Sequence, residues 1–222
     1  MAYKIIFIDE QQTEHDNFKD YIDEHVDLDL TIETEFPKGS IEEMVNSIVE
    51  ERPDAVITDY LLNDIKEDIK YNVPYSGAEL VDALCEQKQG FPCFIMTSHD
   101  SEAISQSEDV NIVYVKKLLV NGNDKLGKTS FIEKVIEQIK HYQIRIQTSE
   151  SRIQELLAKR EKEPLNCQEE DELIKLDSFL ESAVDKKGSI PEEYKKLSNL
   201  QKISDLIEKA DILIAKLEGE GK

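Results

Sequence analysis

The chain has 222 residues, 39% hydrophobic and 34% charged, with a net charge of −21, which allows one large domain or two small ones. Its three cysteines, Cys85, Cys93 and Cys167, are scattered, which argues against a disulfide framework or a zinc site and for a cytoplasmic protein. The apolar run after Tyr3 is too short for a signal peptide, and no stretch approaches the roughly 18 apolar residues of a membrane span. Residues 1–127 hold 10 basic and 28 acidic residues, and residues 128–222 hold 17 and 20. Neither part offers the concentrated positive charge that a phosphate backbone requires, so no nucleic-acid partner and no membrane partner are expected.

Tyr3–Ile8 is a short apolar run ending at Asp9 and Glu10. Phe18, Ile22 and Val26 then recur at helical spacing, and Leu28–Phe36 alternates with strand period. Ile41, Met44, Val45, Ile48 and Val49 return to helical spacing behind Ser40, a suitable N-cap. Ala55–Thr58 is apolar and ends at Asp59, and a helix over Ala78–Leu84 follows Gly77. Cys93–Met96 ends at Thr97, a weaker helical segment includes Ile104, and Ile112–Val115 ends at Lys116 and Lys117. This alternation predicts an α/β fold, a parallel sheet with helices on both faces.

Beyond Gly127 the pattern is all helical. Ile132, Val135, Ile139, Tyr142, Ile146, Ser149, Ile153 and Leu156 form a heptad stripe, and no breaker occurs before Pro164, so residues 128–162 are predicted as one long helix. Leu173, Leu176, Leu180 and Val184 mark a second helix closed by Gly188. Pro191 opens a third, which carries Leu197, Leu200, Ile203, Ile207, Ala210, Ile214 and Leu217. These three segments predict an all-α helical bundle or coiled-coil region packed as hairpins, within the chain or between two copies. The predicted division is 1–147 for the α/β domain, with its last helix continuing outward, and 148–222 for the helical output region.

Ligands of open parallel sheets bind at the carboxyl ends of the strands. Those ends carry Asp9 and Glu10, then Asp59, then Thr97 and Ser98, then Lys116 and Lys117. Clustered carboxylates repel one another unless a cation neutralises them, and an all-oxygen donor set suits Mg²⁺. A carboxylate beside such a cation is a nucleophile toward phosphorus, with a hydroxyl and an ammonium to hold the transferring oxygens.

Four motifs in order, Ile5-Ile6-Phe7-Ile8-Asp9-Glu10, Ala55-Val56-Ile57-Thr58-Asp59, Phe94-Ile95-Met96-Thr97-Ser98 and Tyr114-Val115-Lys116-Lys117, resemble a response-regulator receiver domain of two-component signalling. The resemblance covers residues 3 to about 147. It implies the doubly wound, five-stranded, flavodoxin-like sheet. It makes Asp59 the phosphoacceptor, and Asp9, Glu10, Asp59 and the Leu61 carbonyl the ligands of Mg²⁺. Thr97 becomes the switch hydroxyl, Tyr114 the aromatic switch residue, and a lysine the phosphoryl contact. Strand alternation leaves Lys116 and Lys117 open, and the family spacing favours Lys117. Such a domain catalyses its own phosphorylation and dephosphorylation on Asp59, Thr97 and Lys117, and is otherwise no enzyme. Its partners are a sensor histidine kinase or phosphotransfer protein, a protein docking on the helical region, and a second copy in a homodimer. The sequence departs from the family at Glu10, where Asp is usual, and at Leu118, where Pro is usual. Pro74-Tyr75-Ser76-Gly77 also arrives late, leaving an insertion over Asn63–Val73.

Two rival readings stand beside this one. The acids could hold only a structural cation or line a solvated rim, in a phosphorylation-inert pseudo-receiver that acts as an adaptor. Residues 122–129, Gly-Asn-Asp-Lys-Leu-Gly-Lys-Thr, match a P-loop literally, with Lys128 as its lysine. Asp124 would sit among the phosphates and no further strand follows, so the segment reads better as a polar loop with Thr129 or Ser130 capping the long helix. His141 flanks the stripe as a surface residue. His15, His25 and His99 occur singly and form no catalytic dyad.

Overall fold

The computed structural model describes residues 2–23, 29–63, 72–97, 113–115 and 130–195. They form β1 (Tyr3–Ile8), α1 (Gln12–Asp23), β2 (Leu30–Glu35), α2 (Ile41–Glu51), β3 (Ala55–Asp59), α3 (Gly77–Gln87), β4 (Cys93–Thr97), β5 (Val113–Val115), α4 (Phe131–Arg160) and α5 (Cys167–Asp185). The chain divides into two compact units, Met1–Arg145 and Ile146–Lys222. The first contains a parallel sheet in the order β2-β1-β3-β4-β5, which is the flavodoxin-like doubly wound order.

The alternation along each central strand explains why both faces are covered. Ile6 and Ile8 of β1, Val56 of β3 and Cys93 and Ile95 of β4 enter one core with Met44, Ile48, Leu80, Val81 and Leu84. Ile5 and Phe7, Ala55 and Ile57, and Phe94 and Met96 enter the other, with Phe18 and Tyr21 of α1 and Phe131, Ile132, Val135 and Ile139 of α4. Near-continuous apolar strands are therefore required, because each successive side chain is buried on one face or the other. Burying each large aliphatic or aromatic side chain contributes about 1.5–3 kcal/mol. Residues of β2, the edge strand, are only half-buried or exposed, which accounts for its polar alternation.

Local chemistry sets the helix starts. Ser40 accepts from the Glu43 N–H at 3.2 Å, and α2 ends at Arg52 in the left-handed region with φ of 50°. Ser76 and Glu79 form a reciprocal capping box on α3. Ser130 accepts from the Glu133 N–H at 3.3 Å and its own N–H donates to the Glu133 carboxylate at 2.7 Å, so Ser130 caps α4. Tyr75, between the insertion and α3, is buried and donates to the Lys38 carbonyl at 2.7 Å, and burial pushes its phenol up to about 12.

The unbroken α4 covers most of the predicted 128–162 span, and positions 161–162 lie in a turn. All eight residues of its stripe are buried or half-buried. In the second unit, Asn166 and Glu169 form a capping box on α5. α5 is the second predicted helix, and its most deeply buried residues are not the leucines that mark it in the sequence. Ile174, Phe179, Ser182 and Ala183 are buried, whereas Leu173, Leu176 and Leu180 flank them and Val184 is 74% exposed. Each residue turns a helix by about 100°, so a stripe displaced by one position faces elsewhere. The Arg152 guanidinium grips Glu172 through two nitrogens at 2.8 and 3.0 Å, and Lys159 bonds Glu169 at 2.6 Å. Of the third predicted helix, only 191–195 lie within the described residues, and 192–195 are helical.

Candidate functional site

Register brings the acids together. β1 runs beside β3 with Ile8 opposite Thr58, so Asp9 and Asp59, one residue further along each strand, leave the sheet at the same level. Asp59 lies opposite Met96 of β4, which places Thr97 one step beyond. Asp9, Glu10 and Asp59 are 0%, 4% and 5% exposed, and one carboxylate oxygen of each lies within 4.8 Å of the others. Two like charges about 4 Å apart repel by about 4 kcal/mol at an effective dielectric of about 20. Three converging carboxylates are therefore costly alone and favourable around a cation. The donor set is entirely hard oxygen, which fits Mg²⁺.

The loop after β1 is organised by its own next residue. The Gln11 N–H donates to Asp9 Oδ1 at 2.9 Å, and Gln11 Nε2 donates to Glu10 Oε1 at 2.8 Å. The longer arm of Glu10 is thus held by a side-chain amide rather than left to swing. On the other side, the Leu61 N–H donates to Asp59 Oδ2 at 2.8 Å and fixes the rotamer of that carboxylate. The contact found for Leu61 is this N–H.

The backbone around Asp59 is tied on both sides. Tyr60 N–H donates to the Met96 carbonyl at 2.8 Å, Gly77 N–H donates to the Tyr60 carbonyl at 2.9 Å, and the Thr58 hydroxyl donates to the Asp59 carbonyl at 3.1 Å. Gly77 begins α3 directly against this turn. A Cβ there would lie 1.9 Å from the Asp59 carbonyl oxygen, so no side chain fits without moving the acid's backbone.

His15 and Gln11 are the site neighbours that sequence reasoning passed over. His15 is 1% exposed, and its Nε2 lies 3.0 Å from the Asp9 carbonyl oxygen. Burial holds its pKa below the ordinary histidine value, against the opposing pull of that carbonyl. A signal was available: His15, Phe18 and Ile22 share one helical face. Gln11 carried none, because a polar residue after two acids has many roles.

Thr97, the last residue of β4, is 1% exposed and lies opposite Val115. Tyr114 packs its half-buried ring 4.7 Å from Phe131 and 6.1 Å from Phe94, with Lys134 Nζ 5.7 Å from its centroid. Ser98, His99, Lys116, Lys117, Leu118, residues 122–129 and most of the insertion lie outside the described residues. Among the described residues, the acids brought together are Asp9, Glu10 and Asp59, with Leu61 bonded to Asp59 through its N–H and Thr97 at the end of β4.

No family model matches the chain, and no curated protein matches it. Among solved structures it is similar to the anti-anti-sigma factor PhyR from Bartonella quintana, at 11% identity and a TM-score of 0.43, over 67% of this chain and 51% of that one. The chain thus spans about half the length of that PhyR structure. It is also similar to the two-component response regulator RcsB in a DNA complex, at 11% identity and a TM-score of 0.39, over 83% and 92% of the two chains. A third similarity is to RcsB from Salmonella enterica serovar Typhimurium, bound to promoter P1flhDC with the phosphomimetic BeF3⁻. There the identity is 15% and the TM-score 0.38, over 92% and 100%. The chain itself has the flavodoxin-like doubly wound strand order, with an acid cluster at the carboxyl edge of its sheet. No helix among the described residues is long and apolar enough to cross a membrane.

Proposed function

We propose that this chain is a response regulator whose N-terminal domain, residues 1–147, accepts a phosphoryl group on Asp59 and switches protein contacts made by residues 148–222. The observation that carries the reading is the convergence of the Asp9, Glu10 and Asp59 carboxylates at the carboxyl ends of β1 and β3. Asp9, Glu10, Asp59 and the Leu61 carbonyl would hold Mg²⁺, which neutralises charge on the phosphoryl oxygens when bound. An Asp59 oxygen attacks the phosphorus of a phosphohistidine on a sensor kinase or phosphotransfer protein. The P–N bond breaks, its electron pair stays on the imidazole, and an acyl phosphate forms on Asp59. Thr97 donates its hydroxyl to a phosphoryl oxygen, and Lys117, with Lys116 as the alternative, pairs with another. Tyr114 follows Thr97, and its packing on Phe131 hands the change to α4. The stripe of α4, continuous over Phe131–Arg160, is the route by which a partner or a second copy reads the state.

The test is phosphorylation by acetyl phosphate with Mg²⁺, read by intact mass and by oligomeric state. The wild type should gain one phosphoryl group and change its self-association or melting temperature, and Asp59→Asn should do neither. A wild type that binds no Mg²⁺ and takes no phosphoryl group would instead be the inert adaptor.

A further inference from the structure

His15 is the one buried histidine among the described residues, and it touches the candidate site through main chain rather than through a carboxylate. A carbonyl oxygen only accepts, so the 3.0 Å contact with Asp9 is a hydrogen bond when Nε2 carries the hydrogen, and the Glu35 main chain also bonds the ring. The ring cannot easily turn away. It lies edge-on to Phe7 of β1, with centroids 5.8 Å apart, and 4.6 Å from the Phe36 ring that follows β2.

Asp9 is where the chain leaves the sheet. Its N–H reaches the Glu35 carbonyl only at 3.4 Å, the long end of a hydrogen bond. Its carboxylate accepts from Gln11 N–H, and its carbonyl accepts from His15. The direction of the Asp9 side chain therefore depends on a peptide plane anchored by an imidazole carried on α1.

We infer that His15 is a positioning residue for the acid pair: its Nε2–H, clamped between Phe7 and Phe36, fixes the Asp9 peptide so that the Asp9 and Glu10 carboxylates face Asp59. This rests on the reading of the pocket as a divalent-cation site. Partners that orient ligand residues from outside the coordination sphere commonly change metal affinity by about tenfold or more when removed.

The experiment compares the full-length wild type with His15→Phe and His15→Gln, measuring Mg²⁺ affinity by calorimetry, melting by circular dichroism, and the wild-type imidazole nitrogens by NMR. Phenylalanine fills the aromatic clamp and removes the donor, whereas glutamine keeps an N–H at similar reach. His15→Phe should bind Mg²⁺ about tenfold more weakly, His15→Gln should recover most of that loss, and the wild-type ring should be the Nε2–H tautomer. An Nδ1–H tautomer overturns the inference whether or not the variants fold. So does wild-type affinity in His15→Phe, even with a lowered melting temperature, and so does a glutamine variant that recovers nothing. A wild type with no Mg²⁺ affinity overturns the cation-site reading itself, and this inference with it.

Discussion

At the scale of single residues, Tyr75 joins the end of the insertion to the rest of the domain. Its hydroxyl donates to the Lys38 carbonyl at 2.7 Å, and burial, reinforced by the nearby Glu43 charge, raises its pKa from 10.0 to about 12. A phenol whose folded pKa lies above its unfolded one stabilises the fold fully below the unfolded value. That contribution is then lost as pH rises through the folded one. The stability tied to the neutral Tyr75 should therefore be intact below pH 10.0 and fall away through about 12. Tyr75→Phe cannot ionise but loses the hydrogen bond, which costs about 1 kcal/mol at neutral pH. The variant should melt below the wild type at pH 7; a rise in pKa of that size is worth about 2.7 kcal/mol, so in parallel thermal scans the gap should close above pH 10.0 and reverse before about 12. A constant gap across that range would mean that Tyr75 does not ionise on unfolding. Glu169, Glu172 and Glu181 work in the opposite direction. Hydrogen bonds from Lys159, Arg152 and Lys195 hold each below the ordinary glutamate value, so their contribution is present at neutral pH and lost as acidification passes their folded values.

At the scale of elements, the helix caps set where each segment can begin. Asn166 accepts from the Gln168 and Glu169 N–H groups at 2.9 and 3.0 Å, and Glu169 returns a bond to the Asn166 N–H at 3.0 Å. Glu169 also takes the Lys159 ammonium at 2.6 Å, so one carboxylate closes the cap and ties α5 to the end of α4. Asn166→Ala should lower stability by about 1 kcal/mol, read as a lower denaturant midpoint with an unchanged slope. An unaltered midpoint would mean that the end of α5 is frayed.

The same elements explain how much was legible in the sequence. Apolar runs that stop at Asp9, Asp59 and Thr97 are unambiguous, because a strand buried on both faces tolerates polar residues only where it leaves the sheet. The stripe of α4 was legible because it repeats over eight positions. That of α5 was legible only in part, because the buried Ile174 and Phe179 are five apart, a spacing that the three-and-four pattern does not pick out, whereas Leu173, Leu176 and Leu180 keep that pattern and are half-buried. The support beneath the acids was legible only in part. Gly77 could be found from its place after the late proline, but the closeness of its α-carbon to the Asp59 carbonyl depends on how α3 meets the sheet. His15 looked like an isolated histidine because its partner is a main-chain oxygen, which has no sequence signature.

At the scale of the whole molecule, charge governs stability, and two effects of added cations can be separated. A net charge of −21 opposes the compact state through self-repulsion. Monovalent salt shortens the screening length from about 30 Å at 0.01 M to about 8 Å near 0.15 M. The melting temperature should therefore rise over that range in the wild type and in Asp59→Asn alike, by about 2–4 °C for each kcal/mol of repulsion relieved. The acid cluster adds a local term. Without Mg²⁺, Asp59→Asn should melt above the wild type, because it removes one charge from three buried carboxylates whose oxygens lie within 4.8 Å of one another. Mg²⁺ added at constant ionic strength should raise the wild type by about 2.7 kcal/mol at a hundredfold excess over its dissociation constant. It should raise the variant far less, so that the order of the two melting temperatures reverses. Equal responses of both proteins to Mg²⁺ would assign the effect to general screening. A reversal places it at the three carboxylates, because a cation bound there turns their mutual repulsion into attraction in the wild type and finds one carboxylate fewer in the variant.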